Sequence, residues 1–390
     1  MYTLQQLTQV PVVMGVIRQY NAPGTEFSRF YGLDLKAAPK QVLHKRSGLY
    51  DIFNPTRTMP TARMNMTGPA RVARKPVGQM AVHTSRFFEA LEINFEDVFH
   101  TRPIGGQIGT VDEHGRSYIK RQIQHELDKF GNLHEFLAFQ MMRGGWSLRA
   151  YNGGEDLYPV LKGDSEAVVT VDSLVPSEHQ GQLAVDAGDT DVIDVSWDDP
   201  AAPIIQQLMR LDKIHAVRHG APLRHIWLNG TTASYLMENT QLRSVAGDAY
   251  LLYELMSNRP KTEGQTYEDT GYDIVFKALP QIRFHVYNQA YIPGLVSESF
   301  AAQTDASNIK YYIPDGEAII TPHPGDWCEK IAGTEPMRHN AHEPVQYVSG
   351  FHMGRSEAYD PPRVDLRFLE NYAPIITQYN AVYNPTVIFE

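Results

Sequence analysis

One stripe of apolar side chains constrains this chain more than any other feature. Between Arg116 and Arg143, Ile119, Ile123, Leu127, Phe130, Leu133, Leu137 and Met141 recur in steps of three or four residues. That is the period of one helix face. Phe136, Phe139 and Met142 widen the face, and Gly144-Gly145 supplies a stop. Gly131 weakens the middle by about 1 kcal/mol relative to alanine and predicts a bend there. The reading is one helix over 116–143, about 40 Å long at 1.5 Å per residue.

Ahead of the helix lies a segment of opposite character. Gln41–Asn54 and Gly78–Leu91 read as two extended limbs, and Pro55, Pro60, Gly68, Pro69 and Pro76 punctuate a loop between them. Limbs of about 22 residues reach roughly 70 Å when extended. A body built from the rest of the chain has a radius of gyration near 19 Å by the usual scaling, about. The hairpin is therefore expected to leave its own subunit. The window Ile52–Phe88 holds six Lys/Arg and no Asp or Glu, with Arg63, Arg71, Arg74 and Lys75 around its tip. Residues 1–90 carry 12 Lys/Arg against 4 Asp/Glu, a net +8, within a chain whose net charge is -10; the rest carries -18. Such asymmetry predicts a basic arm docking on something acidic, either nucleic acid or the acidic body of a neighbouring copy. The loop has no Phe, Tyr or Trp between Phe53 and Phe87, so base stacking is not supported.

Beyond the helix, Glu166–Val175 reads as a strand. Asp198-Asp199-Pro200 is expected to open a helix through Ile204, Leu208 and Leu211. His225–Asn229 reads as a short buried strand, and Thr231–Asn239 and Ser244–Ser257 as helices. Ile282, Phe284 and Val286 alternate with Arg283, His285 and Tyr287, the pattern of a half-buried strand. Two strands are expected around a Pro314-Asp315-Gly316 turn. The tail reads as β structure with a turn at Asn384-Pro385. The class is α+β, and 390 residues predict two domains.

The chemistry is sparse. There is no GxSxG, P-loop, HExxH, CxxC or GxGxxG pattern. His339, His342 and Glu343 have a spacing that suits a metal, but Pro336 and Pro344 favour a loop. Asp189, Asp191, Asp194, Asp198 and Asp199 concentrate carboxylates without the glycine and terminal glutamate of a calcium loop. His215, His219 and His225 scatter around a predicted helix end, where His215 or His219 can meet the last carbonyls. Cys328 is the single cysteine and reads as a small buried residue, which fits a reducing compartment. No apolar run has the roughly 18 residues of a membrane span, and the N-terminus does not read as a signal peptide. No cofactor, metal or catalytic residue is expected.

The order of these parts, with three stretches of sequence, resembles a known family. "FLAFQMMRGGWSLR" (136–149), "FHVYNQAYIPG" (284–294) with "IKYYIPDGEAIITP" (309–322), and "APIITQYNAVYNPTVIF" (373–389) are similar to parts of tailed-phage major capsid proteins of the Hong Kong 97 fold, in the group containing the phage lambda major head protein. The resemblance implies an N-terminal arm at 1–40 and an extended loop at 41–95. It implies a peripheral domain at 96–222 and 335–390, with 116–143 as spine helix, and an axial domain at 223–334. It also implies a structural protein rather than an enzyme. Copies of the chain would form hexamers and pentamers of an icosahedral bacteriophage head around double-stranded DNA, located in the virion and assembled in the host cytoplasm. Expected partners are other copies of the chain, a portal, a separate scaffolding protein, a decoration protein and weakly held DNA, with no membrane. Arg63, Arg71, Arg74 and Lys75 become subunit-interface residues. Lys45 and Lys75 are the only lysines of the loop, and no cross-link acceptor matches either. An encapsulin-like cargo shell has the same fold, though that family's N-terminal pattern is missing. A metal-dependent enzyme using the His339/His342 or Asp189–Asp199 cluster is the alternative from another class.

Overall fold

The computed structural model describes residues 8–9, 13, 20, 22–44, 47–52, 78–94, 113–150, 157–181, 183, 192–246, 272–276, 279–294, 305–337, 344–359, 362–378 and 380–389. The short helix α1 (Glu26–Phe30) comes first, then the strands β1 (Gln41–Leu43), β2 (Ser47–Ile52), β3 (Gly78–His83) and β4 (Ser85–Asn94). The long helix α2 spans Glu113–Met142, 30 residues. Its stripe is the expected one: Ile119, Ile123, Leu127, Phe130, Leu137 and Met141 are all buried. Gly144 and Gly145 end it at φ +106° and +126°. A Cβ on Gly145 would lie 2.2 Å from the Val171 carbonyl oxygen, so only glycine lets the next strand approach that closely.

That helix covers a six-stranded sheet. Its centre is β18 (Pro362–Ile376), 15 residues long. Along one side of β18 run β17 (His352–Tyr359) and then β15 (Cys328–Met337), and along the other runs β4. β1 adds to β15 in parallel, and β16 (Gln346–Ser349) folds back on its far end. Ile93 of β4, Met353 of β17, and Val364, Leu366 and Phe368 of β18 face Ile119, Ile123, Leu127 and Phe130 of α2. A three-stranded sheet follows the helix: β5 (Gly145–Ala150) between β6 (Leu157–Leu161) and β7 (Ala167–Asp172).

The other core surrounds a four-stranded sheet ordered β10 (Tyr272–Ile274), β11 (Arg283–Val286), β9 (His225–Leu228) and β14 (Ile319–Thr321). Leu208 and Leu211 of α3 (Ile204–Arg218), Leu236 of α4 (Gly230–Glu238) and Leu242 of α5 (Thr240–Ala246) pack on Ile226, Leu228, Phe284, Val286 and Ile320. Asn229 caps α4, its side chain accepting the Thr232 N–H at 2.8 Å. The remaining short strands are β8 (Gln180–Gly181), β12 (Ala290–Tyr291), β13 (Lys310–Tyr311) and β19 (Asn384–Pro385).

Several sequence expectations need correction. β11 is not half-buried: His285 and Tyr287 are as enclosed as Phe284 and Val286. The reason is that α1 and α2 cover the face opposite to the helices of the second core, so both faces are dry. Asn384-Pro385 is a strand parallel to β8, not a turn. The helix after Asp198-Asp199-Pro200 starts only at Ile204; Asp199 instead closes a turn by accepting the Ala201 N–H at 2.8 Å. The strand read over 166–175 is paired over Ala167–Asp172. Of the helix read over 244–257, only the part up to Ala246 lies among the described residues.

Gly131 has a packing role that the sequence did not show. A Cβ there would sit 2.6 Å from the Cβ of Ala22 and 3.1 Å from the Thr25 methyl. The N-terminal segment crosses the helix at this point. Gly131→Ala should therefore destabilise by about 1–3 kcal/mol through overpacking, despite the better helix propensity of alanine. Denaturant midpoints check this, and Ala22→Gly in the same chain should recover most of the loss.

Candidate functional site: the seat of the N-terminal segment and the hairpin

His134 and Glu135 stand side by side on α2, both fully buried. Glu135 receives the N-terminus of α1. Its carboxylate accepts the Phe27 N–H at 2.9 Å and the Ser28 N–H at 2.8 Å, satisfying two donors that a helix start leaves open. The Tyr287 hydroxyl lies against the same carboxylate and 2.5 Å from the Gly24 carbonyl oxygen. One hydroxyl hydrogen cannot serve both acceptors, so a protonated Glu135 completes the set. Burial pushes the Glu135 carboxyl up to about 7, against the pull of the Ser28, Tyr287 and Phe27 hydrogen bonds.

His134 meets acceptors on both ring nitrogens. Nδ1 is 2.8 Å from the Leu33 carbonyl oxygen and Nε2 is 2.6 Å from Glu370 on β18. Lys330 on β15 adds a second cation 2.9 Å from Glu370 and donates to the Asp34 carbonyl oxygen at 3.1 Å. Burial opposes ionisation of Glu370, but His134 and Lys330 outweigh it and hold the carboxyl down to about 2. The Tyr372 ring stacks on His134 at 4.1 Å. Tyr31 then fixes the segment to the second core: its hydroxyl lies 2.6 Å from Thr321 Oγ1 and accepts from Trp227 Nε1 at 2.9 Å. Phe27 stacks on Phe139 at 3.8 Å.

From this seat the chain enters the hairpin. Lys40 N–H donates to the Lys330 carbonyl oxygen at 3.0 Å, and β1 continues along β15. β2 and β3 then pair from Ser47↔His83 to Ile52↔Gly78. Tyr50 and Val82 turn inward, while Leu49 is 63% exposed. The returning limb, β4, pairs with β18 over its whole length.

Arg63, Arg71, Arg74 and Lys75 lie outside the described residues, as do His339, His342, Glu343, Asp189 and Asp191. Asp194 accepts from Gln207 Nε2 at 3.1 Å. No three His, Cys, Asp or Glu side chains gather as a metal-binding group among the described residues. His215 reaches the Ala221 carbonyl oxygen at 2.6 Å just past the end of α3. Burial and the neighbouring His219 hold His215 down to about 4. His225 is not part of that group; it lies on β9 beside His285 and His323. Cys328 is buried, and burial pushes its thiol up to about 12, far from a reactive thiolate. The sequence reading missed His134, Glu135, Lys330 and Glu370. A signal existed: His134 stands four residues after Phe130 and three before Leu137, a polar residue at helical spacing on the apolar face.

No protein family model and no curated protein matches the chain. Solved structures do. A phage-related protein from Bordetella bronchiseptica aligns at TM-score 0.50 over 97% of this chain and 96% of its own, with 10% identity. The chain has the α+β Hong Kong 97 fold. The capsid of Ralstonia phage GP4 (TM-score 0.46, 12% identity, 95% and 92% covered) and a putative prophage capsid protein from E. coli (0.45, 11%, 80% and 79%) are also similar.

The Glu135 seat carries a pH signature. A carboxyl raised in the folded state contributes stability that is full below its unfolded value, near 4.5, and is lost as pH rises through about 7. Wild type should lose on the order of 2–4 kcal/mol more than Glu135→Gln across that window. Urea midpoints of both proteins at the two ends of the window check it; equal slopes would show that Glu135 is not protonated.

Proposed function

We propose that this chain is the major capsid protein of a tailed bacteriophage, assembling with itself into the hexamers and pentamers of an icosahedral head that encloses double-stranded DNA. The observation that carries the reading is the combination of a fold shared end to end with a phage-related protein and a hairpin that is built in at both limbs yet leaves Leu49 exposed. In this reading α2 and the six-stranded sheet are the peripheral domain, and the sheet β10-β11-β9-β14 with its helices is the axial domain. The protein acts in the virion without catalysis, after assembly in the host cytoplasm. Portal, scaffolding and decoration proteins are its expected companions. Electron microscopy of the purified protein tests the reading. Closed shells, or ordered capsomers, are the expected outcome; a monodisperse monomer under every condition, scaffold supplied, would sink it.

The basic loop is assigned a protein contact rather than a DNA contact. Arg71, Arg74 and Lys75 belong to an acid-free window in a chain with 45 Asp/Glu and net charge -10. Each exposed pair contributes only about 0–1 kcal/mol, so single Arg→Ala changes should be tolerated. Changing all three to Glu places like charges at a contact repeated in every subunit, and shell yield by sedimentation should collapse while circular dichroism stays native. Normal yield would reject the assignment, and so would loss of the fold.

A further inference from the structure

Four side chains in the second core form a continuous hydrogen-bonded line. Asp273 Oδ1 of β10 is 2.7 Å from His285 Nδ1 of β11. His285 Nε2 is 2.9 Å from His225 Nδ1 of β9. His225 Nε2 is 3.3 Å from His323 Nδ1, in the segment after β14. Asp273, His285 and His225 are buried, whereas His323 is exposed. Among the described residues, Arg283 faces the line from the side, 3.7 Å from Asp273 Oδ2. Trp227 stacks on His285 at 4.2 Å, and Phe30 of α1 meets His225 at 4.8 Å and His285 at 5.4 Å.

The neutral line has one consistent proton order. An ionised Asp273 can only accept, so His285 carries its hydrogen on Nδ1 and offers Nε2 as acceptor. His225 must then donate from Nδ1 and accept at Nε2. His323 donates from Nδ1 and is left with a basic Nε2. A proton arriving at His323 Nε2 can be passed inward without breaking any contact. The Nδ1 hydrogen of His323 moves to His225 Nε2, and the Nδ1 hydrogen of His225 moves to His285 Nε2. Both bonds between histidines reverse direction, the bond from His285 to Asp273 keeps its own, and the net gain is one proton.

The geometry points to a surface-fed proton store: His323 takes up a proton, His225 relays it, and His285 holds it as an imidazolium against Asp273. The inner end suits the charge, because Asp273 supplies the counter-ion and the Trp227 face lies over the ring. The middle does not, because His225 lies between two imidazoles. Burial, followed by His285 and His323, holds His225 down to about 3, in keeping with a relay rather than a resting place. The store delivers charge beneath Phe30, where the N-terminal segment rests on the sheet. It does not depend on the shell reading and is testable whether or not the chain assembles.

The test is nitrogen NMR of histidine-labelled full-length protein from about pH 8 to about pH 4, where unperturbed histidines titrate. Histidine-to-glutamine variants at 225, 285 and 323 assign the signals. Expected is conversion of His285 to the doubly protonated form, while His225 and His323 change from Nδ1–H to Nε2–H at the same midpoint. Asp273→Asn keeps an acceptor but removes the counter-charge, and should lower that midpoint by at least about one pH unit, tenfold in proton affinity. Titration of His323 alone, with the other two tautomers unchanged, would overturn the store; so would an unmoved midpoint in Asp273→Asn. If that variant does not fold, the wild-type tautomers decide by themselves.

Discussion

Burying a carboxyl group and an imidazole next to each other on one helix commits the fold to bringing them partners. Glu135 needs donors and finds them at the start of α1; His134 needs acceptors and finds Leu33 and Glu370. Removing one member of such a group leaves an uncompensated charge, at about 3–5 kcal/mol. Apolar residues of the same volume often give equal stability, so the gain from the network is in selection among arrangements. α1, β15, β18 and the long helix must all arrive together, because each supplies a group that another cannot do without.

The hairpin inherits its direction from that arrangement. Two-stranded ribbons are marginal in water on their own. Here both limbs continue into one sheet, β1 along β15 and β4 along β18. Lys330, which anchors the segment before β1 through Asp34, also pairs with Glu370 of β18. The same buried charges thus hold the entering limb and brace the strand that pairs with the returning one. Tyr50 and Val82 bury the base of the ribbon, with Leu43, Ile52 and Met80 packed against the same core.

Local periodicity made the long helix, β9 and α4 legible, since each is specified by neighbours in sequence. The order of parts and three stretches of sequence made the fold class legible. What stayed hidden was non-local. His134 and Glu370 are 236 positions apart, so no window of sequence could show that they pair. β11 was misread for the same reason: the alternation is real, but α1 and α2, from far earlier in the chain, cover the side that carries His285 and Tyr287. Gly131 looked like a weak point of the helix because the residue that requires it, Ala22, precedes it in the chain by α1 and β1 to β4.

The buried titratable groups pull stability in opposite directions along the pH axis. His179 and His215 are held down to about 4, and His225 to about 3, with burial the first cause in each. An unfolded chain takes up these protons near 6.5 and the folded chain resists, so acidification below that value costs stability. Glu135 behaves oppositely, its contribution fading as pH rises toward about 7. Three histidines outweigh one carboxyl up to about neutrality, because the unfolded chain is still half protonated at each of them at 6.5; above neutrality both contributions fade together. Summed over these four groups, stability rises with pH through the acid range and levels off above neutrality. A fold that buries neutral histidines to select one arrangement therefore also sets the acid limit of that arrangement.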